Sequence, residues 1–172
     1  LDPRRYPDPS AAAVPPPAPE AIVHWARRRP GEVTLVATGP LTNVAAAVRS
    51  DPEGMRKLRE IIVMGGAVRV PGNVTPHAEF NIWSDPEALE VLLAEGIPLV
   101  LVPLDVTHQV VLTSRHLDRL GGGDPRTRLI HDCTRGHLEL HRASRGLDGC
   151  YLHDPLALGV ALDPSFVQME EL

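Results

Sequence analysis

The sequence predicts an α/β fold in which a largely parallel β-sheet is flanked by helices, with a Rossmann-like topology. Its apolar runs are short and continuous rather than alternating, which is typical of strands buried on both faces. Amphipathic segments separate these runs, and such alternation indicates parallel strands joined by helical crossovers. The predicted strands are 33–38, 60–66 and 97–104, and the predicted helices between them are 41–50 and 85–96.

The rest of the chain predicts a proline-rich arm and several further helices. Residues 1–19 contain too many prolines for a regular element and predict an extended arm. A helix at about 20–29 follows, and Pro30-Gly31 marks its end. Further helices are expected near 113–120, 125–145 and 154–162. A chain of 172 residues is expected to form a single domain.

The composition argues against several classes of function. A net charge of −5 makes a nucleic-acid partner unlikely on electrostatic grounds, so none is expected. No apolar run reaches the ~18 residues that a membrane helix needs, so no membrane association is expected. Cys133 and Cys150 match no disulfide or metal-finger spacing. A reducing, cytoplasmic location is therefore predicted.

The loops after the predicted strands are the places to search for a site, because ligands bind beyond the carboxyl ends of parallel strands. In "TGPLTN" (38–43), either Thr42 or Asn43 is expected to cap the next helix. The Thr38 carbonyl could alternatively bind a hard cation. The pattern alone favours an ordinary strand-to-helix turn.

The long loop after the second strand, "MGGAVRVPGNVTPHAEFN" (64–81), is a second candidate. Its glycines match neither the dinucleotide nor the P-loop fingerprint, which argues against a phosphate cradle. Asn73, Glu79 and Asn81 could project into one cleft. Amides and a carboxylate without a basic residue suit a neutral, polyhydroxylated ligand such as a sugar. The alternative is a polar loop with Glu79 in solvent, and the residues alone leave the two level.

The segment "SDPE" (84–87) predicts a helix start and no chemistry. Ser84 and Glu87 have the spacing of a capping box, and Pro86 lies where helices tolerate proline. Asp85 is expected only to favour the helix dipole.

Two histidine-containing segments leave alternatives open. In "LHDPLALGVAL" (152–162), Asp154 could bind a metal beside His153 as general acid, or Asp154 could merely cap a helix. The "PLDVTH" loop holds Asp105, which could face a ligand or act as a cap. Cys133, His137 and His141 have the i, i+4, i+8 spacing of one helix face. Without an evident fourth ligand, chance is favoured over a soft-metal site, and one of these histidines could instead line a pocket.

Taken in order, "TLVATGPLTNVAAAVR", "VMGGAVRVPGNVTPHAEFNIWSDPEA" and "LHDPLA" resemble the inosine–uridine nucleoside hydrolases over about 33–163. The resemblance implies a parallel sheet with helices on both faces. It also implies hydrolysis of the N-glycosidic bond of ribonucleosides, with calcium at the bottom of the pocket. This activity belongs to nucleoside catabolism and to purine and pyrimidine salvage. Family habit implies a homo-oligomer.

The same resemblance implies roles for individual residues. Asn73, Glu79 and Asn81 would hold the ribose hydroxyls. His153 would face the nucleobase, where it could protonate or stabilise the leaving group. Such groups suit an oxocarbenium-like transition state, which needs a fixed sugar and help for the departing base.

For calcium, the resemblance implies the Thr38 main-chain oxygen and the Asp154 carboxylate. The family's D-x-D-P-G-x-D-D signature, which supplies most calcium carboxylates, is absent from the 172 residues, and Asp2 and Asp8 are poor substitutes. We therefore expect an incomplete domain that carries the ribose and leaving-group side of the site and is inactive alone. The alternative is a non-catalytic homologue that binds a nucleoside or ribose or acts in assembly.

Overall fold

The computed structural model describes residues 15–120 and 124–171, which form two compact units. The sheet unit contains residues 15–108 and 153–171, and the α7–α8 unit contains 109–120 and 124–152. The helices are α1 (Ala18–Arg28), α2 (Thr42–Ser50), α3 (Pro52–Met55), α4 (Phe80–Ser84), α5 (Pro86–Ala94), α6 (Leu104–Thr107), α7 (Ser114–Leu120), α8 (Pro125–Arg145) and α9 (His153–Leu162). The strands are β1 (Thr34–Ala37), β2 (Glu60–Met64), β3 (Leu99–Val102), β4 (Val111–Leu112) and β5 (Cys150–Tyr151), and a 3₁₀ helix (Pro164–Phe166) follows α9.

The sheet unit is built on three parallel strands in the order β1-β2-β3. The central strand β2 packs on both of its faces. Ile61 and Val63 are buried against a cluster that includes residues of α1, α2 and α5, while Ile62 and Met64 are buried against β3, α6 and α9. A fully buried isoleucine or valine contributes about 1.5–3 kcal/mol. The predicted α/β fold with helices on both faces of a parallel sheet is therefore confirmed.

The predicted proline-rich arm ends earlier than expected. Helix α1 begins at Ala18, because Pro19 lies in the first turn, where its missing N–H removes no helical hydrogen bond. The prediction of an extended arm over 1–19 is therefore wrong for its last two residues. The first 14 residues lie outside the described part of the chain.

The predicted capping box at "SDPE" is wrong. Ser84 is the last residue of α4, and its hydroxyl donates to the Phe80 carbonyl at 2.7 Å. Asp85 is the N-cap of α5 instead, with a side-chain oxygen 3.1 Å from the Ala88 N–H. A carboxylate accepts this bond more strongly than a hydroxyl because it is charged.

The predicted side-chain cap of α2 is also wrong. The N-cap of α2 is Leu41, whose side chain makes no capping hydrogen bond. The Thr42 hydroxyl donates to the Asp85 carboxylate instead. Asp85 therefore joins the starts of α2 and α5, a role beyond the expected one with the helix dipole.

The α7–α8 unit contains a short antiparallel ladder that the sequence did not predict. β4 pairs with β5, and a small core of Leu112, Leu117, Leu138 and Cys150 lies beside it. Strands of two residues leave no readable period, so the sequence carries no signal for them. Within the described residues, no helix has both the length and the apolar character needed to cross a bilayer.

Candidate functional site

Glu79 is the central polar residue at the carboxyl end of β2. It is only 3% exposed and is the N-cap of α4. Its Oε1 accepts from the Asn81 N–H at 2.9 Å, and its Oε2 accepts from the N–H groups of Gly66 and Ile82 at 3.0 and 3.2 Å. The possibility of a glutamate in solvent is therefore excluded. Glu79 joins the strand-end loop to the first turn of α4.

The backbone partners of Glu79 explain how this buried glutamate is tolerated. Hydrogen bonds from N–H groups to a carboxylate are strong, and a helix N-terminus favours negative charge. Gly66 adopts φ +90°, a conformation that favours glycine, and this turn presents its N–H to Glu79. A carboxylate has about four acceptor positions, so the three backbone bonds leave about one position for a ligand.

The two asparagines predicted to accompany Glu79 lie beside it. Asn81 is buried, and its Nδ2 donates to the Met64 carbonyl at the end of β2 at 3.0 Å. Asn73 is exposed, and its Oδ1 accepts from the Phe80 N–H at 2.8 Å. The structure therefore brings Asn73, Glu79 and Asn81 together around the first turn of α4.

Asp105 secures the same loop from the other side. It lies in the first turn of α6, and its carboxylate accepts from the N–H groups of Val68 and Arg69 at 2.9 and 2.7 Å. Partial burial acts to raise the pKa of Asp105, but these bonds and the charge of Arg69 outweigh it and hold the pKa below its ordinary value. The open question about Asp105 is thus answered in part: it caps loop amides.

The tip of the loop turns back on itself at Gly72. A Cβ at this position would lie 2.1 Å from the Ala78 carbonyl oxygen. The loop closes through hydrogen bonds from Gly72 N–H to the Pro76 carbonyl and from Val74 N–H to the Ala78 carbonyl, at 3.2 and 3.1 Å. This close approach places Asn73 within a tightly built turn and requires glycine beside it.

His153 and Asp154 lie in the first turn of α9, which packs against the sheet. The Nδ1 of His153 is 2.7 Å from the hydroxyl oxygen of Thr107, a fully buried residue of α6. The ring of His108 lies beside that of His153, with centroids 5.7 Å apart. Sequence reasoning missed Thr107, because a single threonine in "LDVTH" has no spacing signal.

Asp154 lies in an electrostatically unfavourable position for a carboxylate. Burial raises its pKa, the charge of His153 opposes this, and the negative charge of Glu79 raises the pKa further. The two carboxylates therefore interact. The Asp154 side chain is exposed, and a cation beside it would oppose the repulsion from Glu79.

The predicted calcium ligands match calcium in type and fall short in number. The Thr38 carbonyl directly follows β1, and Asp154 supplies a carboxylate; both are the oxygen donors that calcium prefers. Calcium takes about six to eight such ligands. In residues 15–120 and 124–171, no group of three or more His, Cys, Asp and Glu side chains is arranged to hold a metal.

Cys133, His137 and His141 lie on α8, in the α7–α8 unit. Cys133 is exposed and is a free thiol. The two histidine rings contact each other, with centroids 4.3 Å apart. These three residues are not among any metal-holding group in the described part of the chain.

Comparison with known proteins gives consistent matches. All of residues 1–172 match the family model described as inosine-uridine preferring nucleoside hydrolase. The chain is 36% identical over 169 residues to "Probable uridine nucleosidase 2" of Arabidopsis thaliana, a match that covers 98% of this chain and 52% of that protein. It is 41% identical over 166 residues to the pyrimidine-specific ribonucleoside hydrolase RihA of Citrobacter koseri, with 95% of this chain and 53% of the relative covered.

Two solved structures are also similar. A plant nucleoside hydrolase, PpNRh1, has a TM-score of 0.84 and 38% identity, covering 93% of this chain and 52% of its own. A purine-preferring ribonucleoside hydrolase from Gardnerella vaginalis has a TM-score of 0.84 and 34% identity, covering 94% and 52%. The chain spans about half the length of the curated relatives it matches. These matches show that the chain belongs to the inosine-uridine preferring nucleoside hydrolase family.

Proposed function

We propose that this chain carries the ribose-binding and leaving-group side of a site that hydrolyses the N-glycosidic bond of ribonucleosides to ribose and free base. The observation that carries the proposal is the pair Glu79 and Asn81, which are buried, polar and held by backbone groups at the carboxyl end of β2. Strand ends of this kind are where parallel sheets bind ligands. Family membership supports the reaction class.

Asn73, Glu79 and Asn81 bind the ribose in this proposal. Glu79 has about one acceptor position beyond its three backbone bonds, enough for one ribose hydroxyl. The two asparagines supply amide donors and acceptors. The backbone bonds hold all three side chains in place before ligand binds, which lowers the entropy cost of fixing the sugar.

His153 assists the leaving group in this proposal. Cleavage develops positive charge on the ribose and negative charge on the departing base. An imidazole N–H that donates to the base at that moment stabilises the charge, and a contact made mainly in the transition state accelerates the reaction. Thr107 fixes the other side of this ring.

In this proposal, the Thr38 main-chain oxygen and the Asp154 carboxylate would hold calcium. Bound calcium would supply a Lewis acid that orients ribose hydroxyls and lowers the pKa of a water. The exposed carboxylate of Asp154 in the first turn of α9, with the negative charge of Glu79 acting on it, supports a cation at this position. Because two ligands are far fewer than calcium's usual six to eight, we predict binding too weak to sustain catalysis by these residues alone. Measurable inosine hydrolysis by the purified 172-residue chain at ordinary calcium concentrations would refute that prediction.

A second candidate function depends on the sugar site alone. The chain could bind a nucleoside or ribose without hydrolysing it, or act in assembly, because the sugar-facing residues need no metal to form hydrogen bonds. Two properties stay predictions: a homo-oligomer, which the resemblance implies, and a cytoplasmic location, which the cysteine pattern predicts.

Calorimetric titration of inosine and of ribose, with and without calcium, tests the sugar site. Replacing Asn81 by alanine is expected to weaken binding by roughly tenfold, the effect of about one lost hydrogen bond. Glu79→Ala is expected to weaken binding at least as much. Glu87→Ala, an exposed glutamate on α5, is the matched control and should leave binding unchanged. Binding that survives both Glu79→Ala and Asn81→Ala excludes the proposed sugar site.

A further inference from the structure

We propose that Thr107 is a positioning residue that holds His153 in one tautomer, with the proton on Nε2. The two residues come from α6 and α9 of the sheet unit, 46 positions apart in the sequence. The Thr107 hydroxyl oxygen lies 2.7 Å from His153 Nδ1, a good hydrogen-bond distance. Whether the Thr107 hydroxyl or His153 Nδ1 donates this hydrogen bond decides which ring nitrogen carries the proton.

The surroundings of Thr107 determine that direction. Thr107 is 0% exposed, so its hydroxyl proton has no access to solvent and needs a protein acceptor. A threonine in a helix often donates to the carbonyl four residues earlier. Here that carbonyl, of Pro103, already accepts from the N–H groups of Val106 and Thr107 at 3.2 and 3.1 Å, which fills both of its lone pairs.

His153 Nδ1 is the hydrogen-bond partner that the structure gives to the Thr107 hydroxyl within the described residues. The hydroxyl therefore donates, and Nδ1 accepts through its lone pair. A neutral imidazole carries one proton, so that proton lies on Nε2. This assignment needs no titration of the ring, because it concerns only the neutral form.

The consequence for catalysis rests on the proposed function. A His153 ring held as the Nε2–H tautomer presents a hydrogen-bond donor, which is what a departing base with growing negative charge requires. The opposite tautomer would present a lone pair at Nε2 and repel an acceptor atom on the base. Thr107 would thus act on the leaving group through His153, without contacting the substrate.

The test is the ¹⁵N NMR signature of the His153 ring in the ¹⁵N-labelled chain, at about pH 8 and without nucleoside, where histidine is ordinarily neutral. The His153 signals are identified by their loss in His153→Gln. A protonated and an unprotonated ring nitrogen have well-separated shifts. We expect Nε2 to be of the protonated type and Nδ1 of the acceptor type. A protonated Nδ1 overturns the proposal.

Three variants distinguish an effect of the Thr107 hydroxyl on the His153 ring from an effect of side-chain packing. Thr107→Val keeps the shape but removes the hydroxyl, and should change the tautomer ratio by roughly two- to tenfold, which moves the two ring shifts toward each other. Thr107→Ser keeps the hydroxyl and should retain the wild-type shifts. Thr34→Val, on β1, is the matched control and should also leave them unchanged. Unchanged ring shifts in folded Thr107→Val overturn the proposal.

The test does not depend on whether Thr107→Val folds. If that variant does not fold, the wild-type and Thr107→Ser shifts decide the assignment by themselves. Failure of inosine to bind in calorimetry overturns the proposed function, whereas the ring shifts, measured without nucleoside, test the Thr107 contact independently of it.

Discussion

Replacing Glu79 by glutamine should destabilise the protein although the side chain keeps its size. The carboxylate of Glu79 accepts three backbone N–H bonds at 2.9, 3.0 and 3.2 Å, on two oxygens. A glutamine has one acceptor oxygen, so its NH₂ group must face at least one of the N–H donors. The substitution therefore loses at least one bond to a charged acceptor and makes the remaining bonds neutral.

The stability cost of Glu79→Gln can be worked out from the individual hydrogen bonds. A hydrogen bond to a charged group contributes about 1.5–3 kcal/mol and a neutral bond about 0.5–1.5 kcal/mol. Losing one charged bond costs about 1.5–3 kcal/mol and weakening the other two costs about 1–1.5 kcal/mol each, which together give about 3.5–6 kcal/mol if the bonds contribute independently. Because domains are stable by only about 5–15 kcal/mol, this loss is readily measured.

Chemical denaturation followed by circular dichroism is the assay, with Glu87→Gln as the control. Glu87 is exposed in the first turn of α5, so its substitution should change the free energy of unfolding by no more than about 0.5 kcal/mol. A Glu79→Gln protein whose unfolding midpoint matches that of Glu87→Gln would refute the described role of this carboxylate.

Three further predictions concern Asp105, Gly72 and Gly136. Asp105→Asn should lower stability by about 1–2 kcal/mol at neutral pH. Because the folded pKa of Asp105 lies below the ordinary 3.8, its contribution is complete above that value and disappears as the pH falls through the folded pKa. The denaturation midpoints of the two proteins should therefore converge as the pH falls below 3.8, and a pH-independent difference contradicts this. Gly72→Ala should cost about 1–3 kcal/mol and weaken inosine binding, because its Cβ meets the Ala78 carbonyl at 2.1 Å; wild-type values for both quantities contradict the close approach. Gly136→Ala should instead stabilise α8 by roughly 0.5–1 kcal/mol in the same assay, because its Cβ meets nothing within 4 Å and alanine favours the helix, and a lower midpoint would contradict this.

The strands of the sheet unit could be predicted because burial on both faces leaves an unbroken apolar run. Successive side chains of β2 lie in two different buried clusters, so every position from Ile61 to Met64 is apolar. The capping residues were harder to predict. Helix α4 has only five residues, too few for a readable period, so Ser84 looked like the start of the next helix when it ends this one.

The residues of the candidate site could be named from the sequence, whereas their hydrogen-bond partners could not. Asn73, Glu79 and Asn81 are recognisable because amides and a carboxylate recur in one loop. The partner of Glu79 at Gly66 depends on a turn with positive φ, and the contact between Thr107 and His153 depends on how α6 and α9 pack. Contacts between distant segments follow from the fold, which local spacing does not encode.

Amide chemical-shift mapping of inosine on the ¹⁵N-labelled chain tests the location of the nucleoside site most directly. We expect saturable shifts at Gly66, Asn81 and His153, around the carboxyl end of β2 and the start of α9. We expect none at Arg135 and Arg142, which line a cleft within the α7–α8 unit. Shifts at that cleft without shifts around β2, or no saturable shifts at all, would contradict the proposed site.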